Sequence, residues 1–448
     1  LIKPTVQQLL PAFAAVLALL AVMPADANCI DEGSAEARTD ASPLNERVDP
    51  NTARDNLRAM VEQAMQRSQA IGASRLLAEA AAIDVSETRA TRFPQVNLGG
   101  NVGTVRTEVG GVQEESGKQG RATLSVSVPL FDGGRISDLT DWRKSLAEAA
   151  RLGEVNTQEQ VALQTVSLAI ERSRYNLQAQ VYQQYARKMS CLVEALQTIV
   201  RADRGRTSEL VQAQKNQKQA ELSFSQTQAT VRQIETRLKR FVGDTLPPTQ
   251  GMSSLLLSVP SLPDVLAQAE ASADIAQLGA QAEAAKHYAE SVKAQRWPQV
   301  NAVVSGTTIR GTGYGTQWSA GVNVNIPLVN PPVGYAVDSS QKRAQAARFQ
   351  REDALQARRF RMTEVHDQAL SAFDRARQVV EVLRDSDRVR NFTLQQWQQL
   401  GRRSLFDVMS SEGEHYNLRV QYVNALYDGQ QSNALLWSLG LGVRAQLK

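Results

Sequence analysis

The chain has 448 residues, with 50 Lys and Arg against 46 Asp and Glu, a net charge of +4, 42% hydrophobic and 5% aromatic residues. Its 27 Gly and 15 Pro exclude collagen-like repetition and wholesale disorder. The charges are interspersed, without the concentrated basic face of a nucleic-acid binder, and a mean hydropathy of -0.33 excludes a bundle of membrane helices. Composition alone describes a soluble helical protein.

The first 27 residues depart from that description. Lys3 precedes an uncharged stretch, Pro4 to Ala25, with an apolar core from Phe13 to Met23, and Ala25-Asp26-Ala27 ends it. This pattern predicts a secretory signal peptide over 1–27, cut before Asn28. The competing reading is an uncleaved anchor, for which the stretch is short. Cys29 lies next to the cut, but Asp26 and Asn28 occupy positions where lipidation needs an aliphatic and a small residue. Residues 28–51 read as an N-terminal extension. Cys29 and Cys191 are the only cysteines. Export to an oxidising compartment admits a disulfide between them, and packing of Cys191 as an unpaired thiol is equally open.

The mature chain repeats itself. Arg92-Phe93-Pro94-Gln95-Val96-Asn97 returns as Arg296-Trp297-Pro298-Gln299-Val300-Asn301, each after an Ala-rich helical stretch, Leu57 to Arg92 and Leu262 to Arg296. Val128-Pro129-Leu130-Phe131 matches Ile326-Pro327-Leu328-Val329, and Gly205-Arg206-Thr207-Ser208 matches Gly401-Arg402-Arg403-Ser404. The landmarks keep their order, so residues 52–246 and 262–440 read as two similar halves joined by a linker at 247–261, with a tail at 441–448.

Each half carries two alternating segments, expected as strands at 96–106 and 122–130, and at 300–309 and 318–328. Ala122, Leu124, Val126, Val128 and Leu130 share one face, and Thr123, Ser125 and Ser127 the other. In the second half Trp318, Ala320, Val322, Val324, Ile326 and Leu328 alternate against Ser319, Gly321, Asn323 and Asn325. Period-two alternation predicts strands with one apolar face. Their length, about ten residues, is that of a tilted strand crossing a bilayer. Two soluble hairpins packed on a core are the alternative. Long helices are expected at 132–203 and 334–399, with return helices at 207–242 and 404–439. On the first return, Leu210, Ala213, Gln217, Ala220, Phe224, Thr227, Val231, Ile234, Leu238 and Phe241 follow a 3.5-residue period, which predicts supercoiling against neighbouring helices. Four strands cannot close a membrane barrel, and open edges are not tolerated in lipid. Transmembrane strands would therefore require oligomerisation, and three copies give twelve.

On these residues the sequence resembles the TolC family of outer-membrane factors, also described as outer membrane efflux proteins. The resemblance rests on Phe93-Pro94-Gln95-Val96 and Trp297-Pro298-Gln299-Val300, on Pro129-Leu130-Phe131-Asp132-Gly133-Gly134, and on Gly401-Arg402-Arg403-Ser404-Leu405-Phe406-Asp407-Val408, in duplicated order from about Leu57 to Gly440. Pro94, Pro298, Pro129, Gly133, Gly205 and Gly401 are its landmarks. It implies a mainly α chain with a membrane β part: a homotrimer with a twelve-stranded outer-membrane barrel, four strands per protomer, over a long periplasmic α-helical barrel. The Gram-negative outer membrane is then the address, with most of the mass in the periplasm. The implied partners are outer-membrane lipid, an inner-membrane transporter of ABC or RND type and a periplasmic adaptor. The second strand exit, Pro327-Leu328-Val329-Asn330-Pro331-Pro332, departs from the pattern by lacking the Phe-x-x-Gly of the first.

The resemblance also places a gate at the periplasmic tip. Arg403 falls where an Arg clamps closed helices, Asp407 where an Asp forms a selectivity ring, Ser410 where the family has a second Asp, and Glu209 where an Asp pairs with the Arg. Glu412 could supplement the thinner ring. Independently of the family, a ring of three carboxylates attracts cations, and an Arg holds a carboxylate through paired charge-assisted bonds. The alternative for Arg403 and Asp407, four apart, is an ordinary helix-surface pair. His287, His366 and His415 are scattered, and Glu412 with His415 reads as a solvated helix face rather than a metal site. Nucleophile motifs, metal-ligand spacings and phosphate cradles are missing from the sequence, so neither an enzyme nor a cofactor is expected. The functional expectation is an exit duct of a tripartite export system, serving type I protein secretion or multidrug efflux. The alternative is a periplasmic adaptor or scaffold with coiled-coil hairpins and no channel.

Overall fold

The computed structural model describes residues 50–108, 114–400 and 403–447. The expected signal peptide, Cys29 and Gly401 lie outside them. Helices α1 (Pro50–Arg67) and α2 (Gln69–Ala90) lead into strands β1 (Gln95–Glu108) and β2 (Glu114–Phe131). The 68-residue α3 (Arg135–Ala202) descends, and α4 (Thr207–Val242) returns. After a linker come α5 (Leu262–Ala267) and α6 (Ala273–Lys293), then strands β3 (Gln299–Gly311) and β4 (Gly315–Asn325). The 70-residue α7 (Pro331–Leu400), the return helix α8 (Leu405–Leu439) and a short α9 (Val443–Leu447) complete the chain. At 1.5 Å per residue, α3 and α7 are each about 100 Å long. No helix among the described residues is long and apolar enough to cross a membrane.

Several boundaries differ from the sequence expectation for local reasons. Helix starts inside the expected extension, at Pro50, a residue pre-set for a first helical turn. The expected continuous stretch from Leu57 breaks at Ser68, whose hydroxyl accepts the Ile71 N–H at 3.4 Å. Its counterpart from Leu262 breaks at Ser272, which carries extended backbone. The strands outrun the alternation because backbone pairing continues through a Gly-rich polar stretch, as far as Gln119 opposite Gly311. β4 instead stops at Asn325, two residues before Pro327, which has no N–H to offer a ladder.

The four strands form one antiparallel sheet in the order β1-β2-β3-β4, so the two halves of the chain join through β2 and β3. Register sorts its faces. Val96, Val126, Val304 and Ala320 lie in one row, and Leu98, Leu124, Gly306 and Trp318 in the next. Between them, on the other face, run Asn97, Ser125, Ser305 and Ser319. Hydroxyls bond across strands on that polar face, Thr123 with Thr307 at 3.1 Å and Ser305 with Ser319 at 2.7 Å. The apolar face is bare: Leu98 is 77% and Val102 87% exposed.

The turn from β2 into α3 is built on Asp132, whose carboxylate accepts the Gly134 and Ile136 N–H groups at 3.0 and 2.6 Å. Gly133 and Gly134 both have positive φ, 65° and 88°. A Cβ on Gly133 would stand 2.5 Å from Trp297 Cβ, whereas one on Gly134 would meet nothing within 4 Å. Gly133 and Trp297, from the two separate turns, thus lie against each other. Gly133→Ala is expected to cost about 2–4 kcal/mol, from left-handed backbone plus overlap with Trp297. Gly134→Ala should cost only the backbone part, about 1–2 kcal/mol. Thermal melts of the two variants check the difference, and equal losses would refute the Trp297 contact.

Below the sheet, α4 packs on α3 along its length. Ala213, Ala220, Thr227 and Ile234, seven apart, are all buried, as the 3.5-residue period requires. The main core gathers Leu57, Met60, Val166, Ile170, Leu238, Val423 and Tyr427 from α1, α3, α4 and α8. The linker is pinned to α8. Gln430 Nε2 donates to the carbonyls of Met252 and Leu255 at 3.0 and 2.7 Å, and Asn433 Nδ2 to those of Leu256 and Ser258 at 2.8 Å. These bonds hold Leu256 at φ 58°, an unfavoured conformation for a branched side chain.

Candidate functional site

The tip consists of two helical turns standing side by side. Asp203 shapes the first by accepting the Gly205 N–H at 2.9 Å, and a short 3-10 turn, Arg204–Arg206, leads into α4. Ser404 shapes the second. Its hydroxyl accepts the Asp407 N–H at 3.2 Å while the Asp407 carboxylate accepts the Ser404 N–H at 3.1 Å, a reciprocal capping box. Met189, Leu192, Leu196, Ala213, Leu405, Val408 and Met409 form a small core that binds the two turns together.

The expected gate residues lie here, with different partners. Arg403 Nε donates to Gln396 Oε1 at 3.1 Å, and its Nη1 is 4.0 Å from Asp407 Oδ2. Both side chains are about half exposed, and an exposed pair at that distance contributes about 0–1 kcal/mol. Asp407 is partly committed to its helix cap. Ser410 is exposed. Glu209 is half-buried in the first turn of α4, and no ion pair among the described residues joins it to Arg403 within one chain. Cys191 is half-buried on α3 and disulfide-bonded.

Glu412 and His415 correct the sequence expectation. Glu412 is 1% and His415 7% exposed, so neither lies on a solvated face. They belong to a polar layer buried between α3, α7 and α8. Arg390 of α7 reaches Glu412 at 3.6 Å and Asp387 at 2.8 Å. Lys188 of α3 and Arg419 of α8 are buried as well. The Tyr185 and Tyr416 rings lie 4.9 Å apart, tilted by 34°, and the Arg419 guanidinium lies 5.4 Å from the Tyr416 ring. Burial raises the Tyr185 pKa, and the nearby Glu412 carboxylate adds to it. Burial, then the charges of Arg390 and Arg419, push His415 down to about 4.

That shift fixes a pH dependence. The unfolded chain protonates His415 near 6.5, while the folded chain resists until about 4. Between those values the unfolded state binds more protons, so stability is full above pH 6.5 and falls as pH drops towards 4. The loss attributable to this residue is about 2–3 kcal/mol. His415→Gln is expected to flatten that part of the profile. Melting the wild type and variant from pH 7 to pH 4 measures it, and parallel profiles would refute it. Among the described residues no group of His, Cys, Asp and Glu could hold a metal ion.

Residues 60–244 match the family described as outer membrane efflux protein. No curated protein matches the sequence. Solved structures match nearly the whole fold. CusC, described through its folding and transmembrane channel formation, is 17% identical with a TM-score of 0.77, over 87% of this chain and 92% of that one. VceC, an outer membrane protein of Vibrio cholerae, is 17% identical with a TM-score of 0.73, over 86% and 96%. The open state of the MtrE outer membrane channel of Neisseria gonorrhoeae is 14% identical with a TM-score of 0.73, over 87% and 89%.

Proposed function

We propose, from the premise that residues 60–244 place this chain in the outer membrane efflux protein family, that it is one third of a passive exit duct in the Gram-negative outer membrane. The observation that carries this reading is a single sheet with one bare apolar face, set on helices of about 100 Å. Within the described chain, β1 and β4 each have one paired side only. In lipid such edges must be closed, and β4 of one copy pairing with β1 of the next closes them. Three copies make a twelve-stranded barrel of quasi-sixfold symmetry, since the order of elements repeats in each chain. The polar rows of Asn97, Ser125, Ser305 and Ser319 then line the pore, and α3, α4, α7 and α8 continue the wall into the periplasm. A scaffold without a channel would have no use for the bare apolar face.

In this reading the tip is the gate. Arg403, Asp407 and Glu209 act between neighbouring copies, where an inner-membrane transporter and an adaptor would open it. The weak pairing of Arg403 suits a lock that docking must release. Type I protein secretion and small-molecule efflux both use such a duct. Conductance of the purified protein in a planar bilayer tests the reading, and no channels from a heat-resistant trimer would refute it. The same assay tests the gate. Arg403→Ser should raise basal conductance several-fold, and Asp407→Ala should weaken block by divalent cations about tenfold. Unchanged block would remove Asp407 from the pore.

A further inference from the structure

We propose that Arg106, Lys118 and Arg310 form a cationic belt at the outer rim of the sheet that binds lipid headgroups bearing phosphate monoesters. The inference rests on the reading of the sheet as part of a membrane barrel. Successive strand residues alternate between faces. Arg106 of β1 therefore shares the bare apolar face with Leu98 and Val102, Lys118 of β2 shares it with Leu124 and Val126, and Arg310 of β3 with Val304. All three cations are exposed. Lys118 and Arg310 have no ion pair among the described residues. The internal repeat sharpens the pattern. Arg106 and Arg310 each stand 11 positions after the Gln of their Pro-Gln-Val-Asn turn.

Stagger between the strands puts the three at one height. Gln95 is opposite Ser127, four positions short of the end of β2 at Phe131, and Ser127 is opposite Val303, four positions beyond Gln299. Positions of equal height are therefore offset from directly opposite pairs, as in the tilted strands of a barrel. Counted from the helix end of each strand, Arg106 is 11 positions out, Lys118 13 and Arg310 11. Lys118 lies diagonal to both arginines, because Arg106 is opposite Ser116 and Arg310 opposite Gly120. Diagonal neighbours are about 7–8 Å apart, within reach of long side chains. At about 3.4 Å per residue and a tilt of about 40°, the 11 positions of Arg106 rise about 28 Å. The apolar band of a membrane barrel is about 25 Å tall, so the belt stands at its outer edge, where headgroups begin.

The belt is set on paired backbone. The Thr312 N–H donates to the Lys118 carbonyl at 3.1 Å, and Gln119 Nε2 to the Thr312 carbonyl at 2.8 Å, so the turn after β3 is fastened to β2. Gly311, at φ 96°, permits that approach, since a Cβ there would overlap the Lys118 carbonyl oxygen. Two residues beyond Arg106 the register pairs Glu108 with Glu114, which ends the positive band on its outer side. An anion held by all three cations must then lie level with them. A zwitterionic headgroup brings its own cation and cancels most of the attraction. A phosphate monoester carries about −1.5 to −2 charges near pH 7 and accepts paired bonds from a guanidinium. A headgroup with two such groups balances three cations.

The test uses the full-length protein purified from membranes and delipidated in detergent. Native mass spectrometry measures its binding of diphosphoryl lipid A and of the same lipid stripped of both phosphates, with inorganic phosphate as competitor. The phosphorylated lipid is expected to bind about tenfold or more tightly than the stripped one. Combined Arg106→Gln, Lys118→Gln and Arg310→Gln should erase that preference, with the heat-resistant trimer retained. Arg121→Gln should leave it intact, because Arg121 sits at nearly the same height on the polar face. The wild-type comparison of the two lipids needs no variant. Equal affinity for them overturns the belt. So does a preference that survives the triple change or falls equally with Arg121→Gln. Displacement of the lipid by millimolar inorganic phosphate would make this a free-phosphate site and overturn it too. Channel recording on the same preparation separates the belt from the duct. Conduction without the lipid preference refutes the belt alone, whereas absence of channels refutes the reading beneath it.

Discussion

Val322→Arg is expected to abolish stable membrane insertion, while Ser319→Arg, three residues away, leaves it intact. Val322 lies opposite Ala302, which in turn faces Val128, on the bare side of the sheet. Ser319 lies in the polar row and bonds Ser305 at 2.7 Å. A guanidinium on the lipid side near mid-bilayer costs about 2–4 kcal/mol, a factor of roughly thirty to nine hundred in the insertion equilibrium. In a trimer each copy carries the penalty. The measurement is the proportion of heat-resistant oligomer in the outer-membrane fraction. Equal loss in both variants would mean that the sheet faces have been assigned wrongly, and no loss in either would remove the sheet from the membrane.

The second large effect is expected deeper in the helical wall. Arg390→Met removes the guanidinium 3.6 Å from the Glu412 carboxylate, which is 1% exposed. Breaking one side of a buried charge pair costs about 3–5 kcal/mol, whereas replacing both sides with apolar residues of similar volume is often neutral. Arg390→Met combined with Glu412→Leu should therefore recover most of the loss. Denaturation of the two variants in detergent checks this. A double variant no more stable than the single would show that the layer is held by something other than this pair.

The fold was legible where the chain states a period plainly. Alternation from Ala122 to Leu130 and the repeated Pro-Gln-Val turns defined the strands, and the seven-residue spacing of Ala213, Ala220, Thr227 and Ile234 defined the buried side of α4. Strand ends were hidden because backbone pairing continues through glycines that carry no alternating signal. The buried polar layer was hidden because its members are charged. A signal for it exists nonetheless: Leu405, Glu412, Arg419 and Leu426 are seven apart, and all four are buried. Two charged residues, Glu412 and Arg419, occupy seam positions that residue type alone would assign to the surface. At the tip the sequence located Arg403 and Asp407, but not that Ser404 would engage the Asp407 carboxylate first. Capping is a property of the turn, and Gly401 and Arg402 of that turn lie outside the described residues.

The sheet order has a consequence for how copies recruit one another. Within the described chain the unpaired edges are β1 at one side and β4 at the other, so in the proposed barrel each copy would join the next head-to-tail, β4 to β1. Such an arrangement grows in one direction until it closes. A chain with a spoiled β1 edge still offers a sound β4, so it can enter a ring and prevent its closure. With equal amounts of sound and spoiled chains, only roughly one ring in eight would be wholly sound if three copies meet at random. Loss of one edge should therefore behave as a dominant defect.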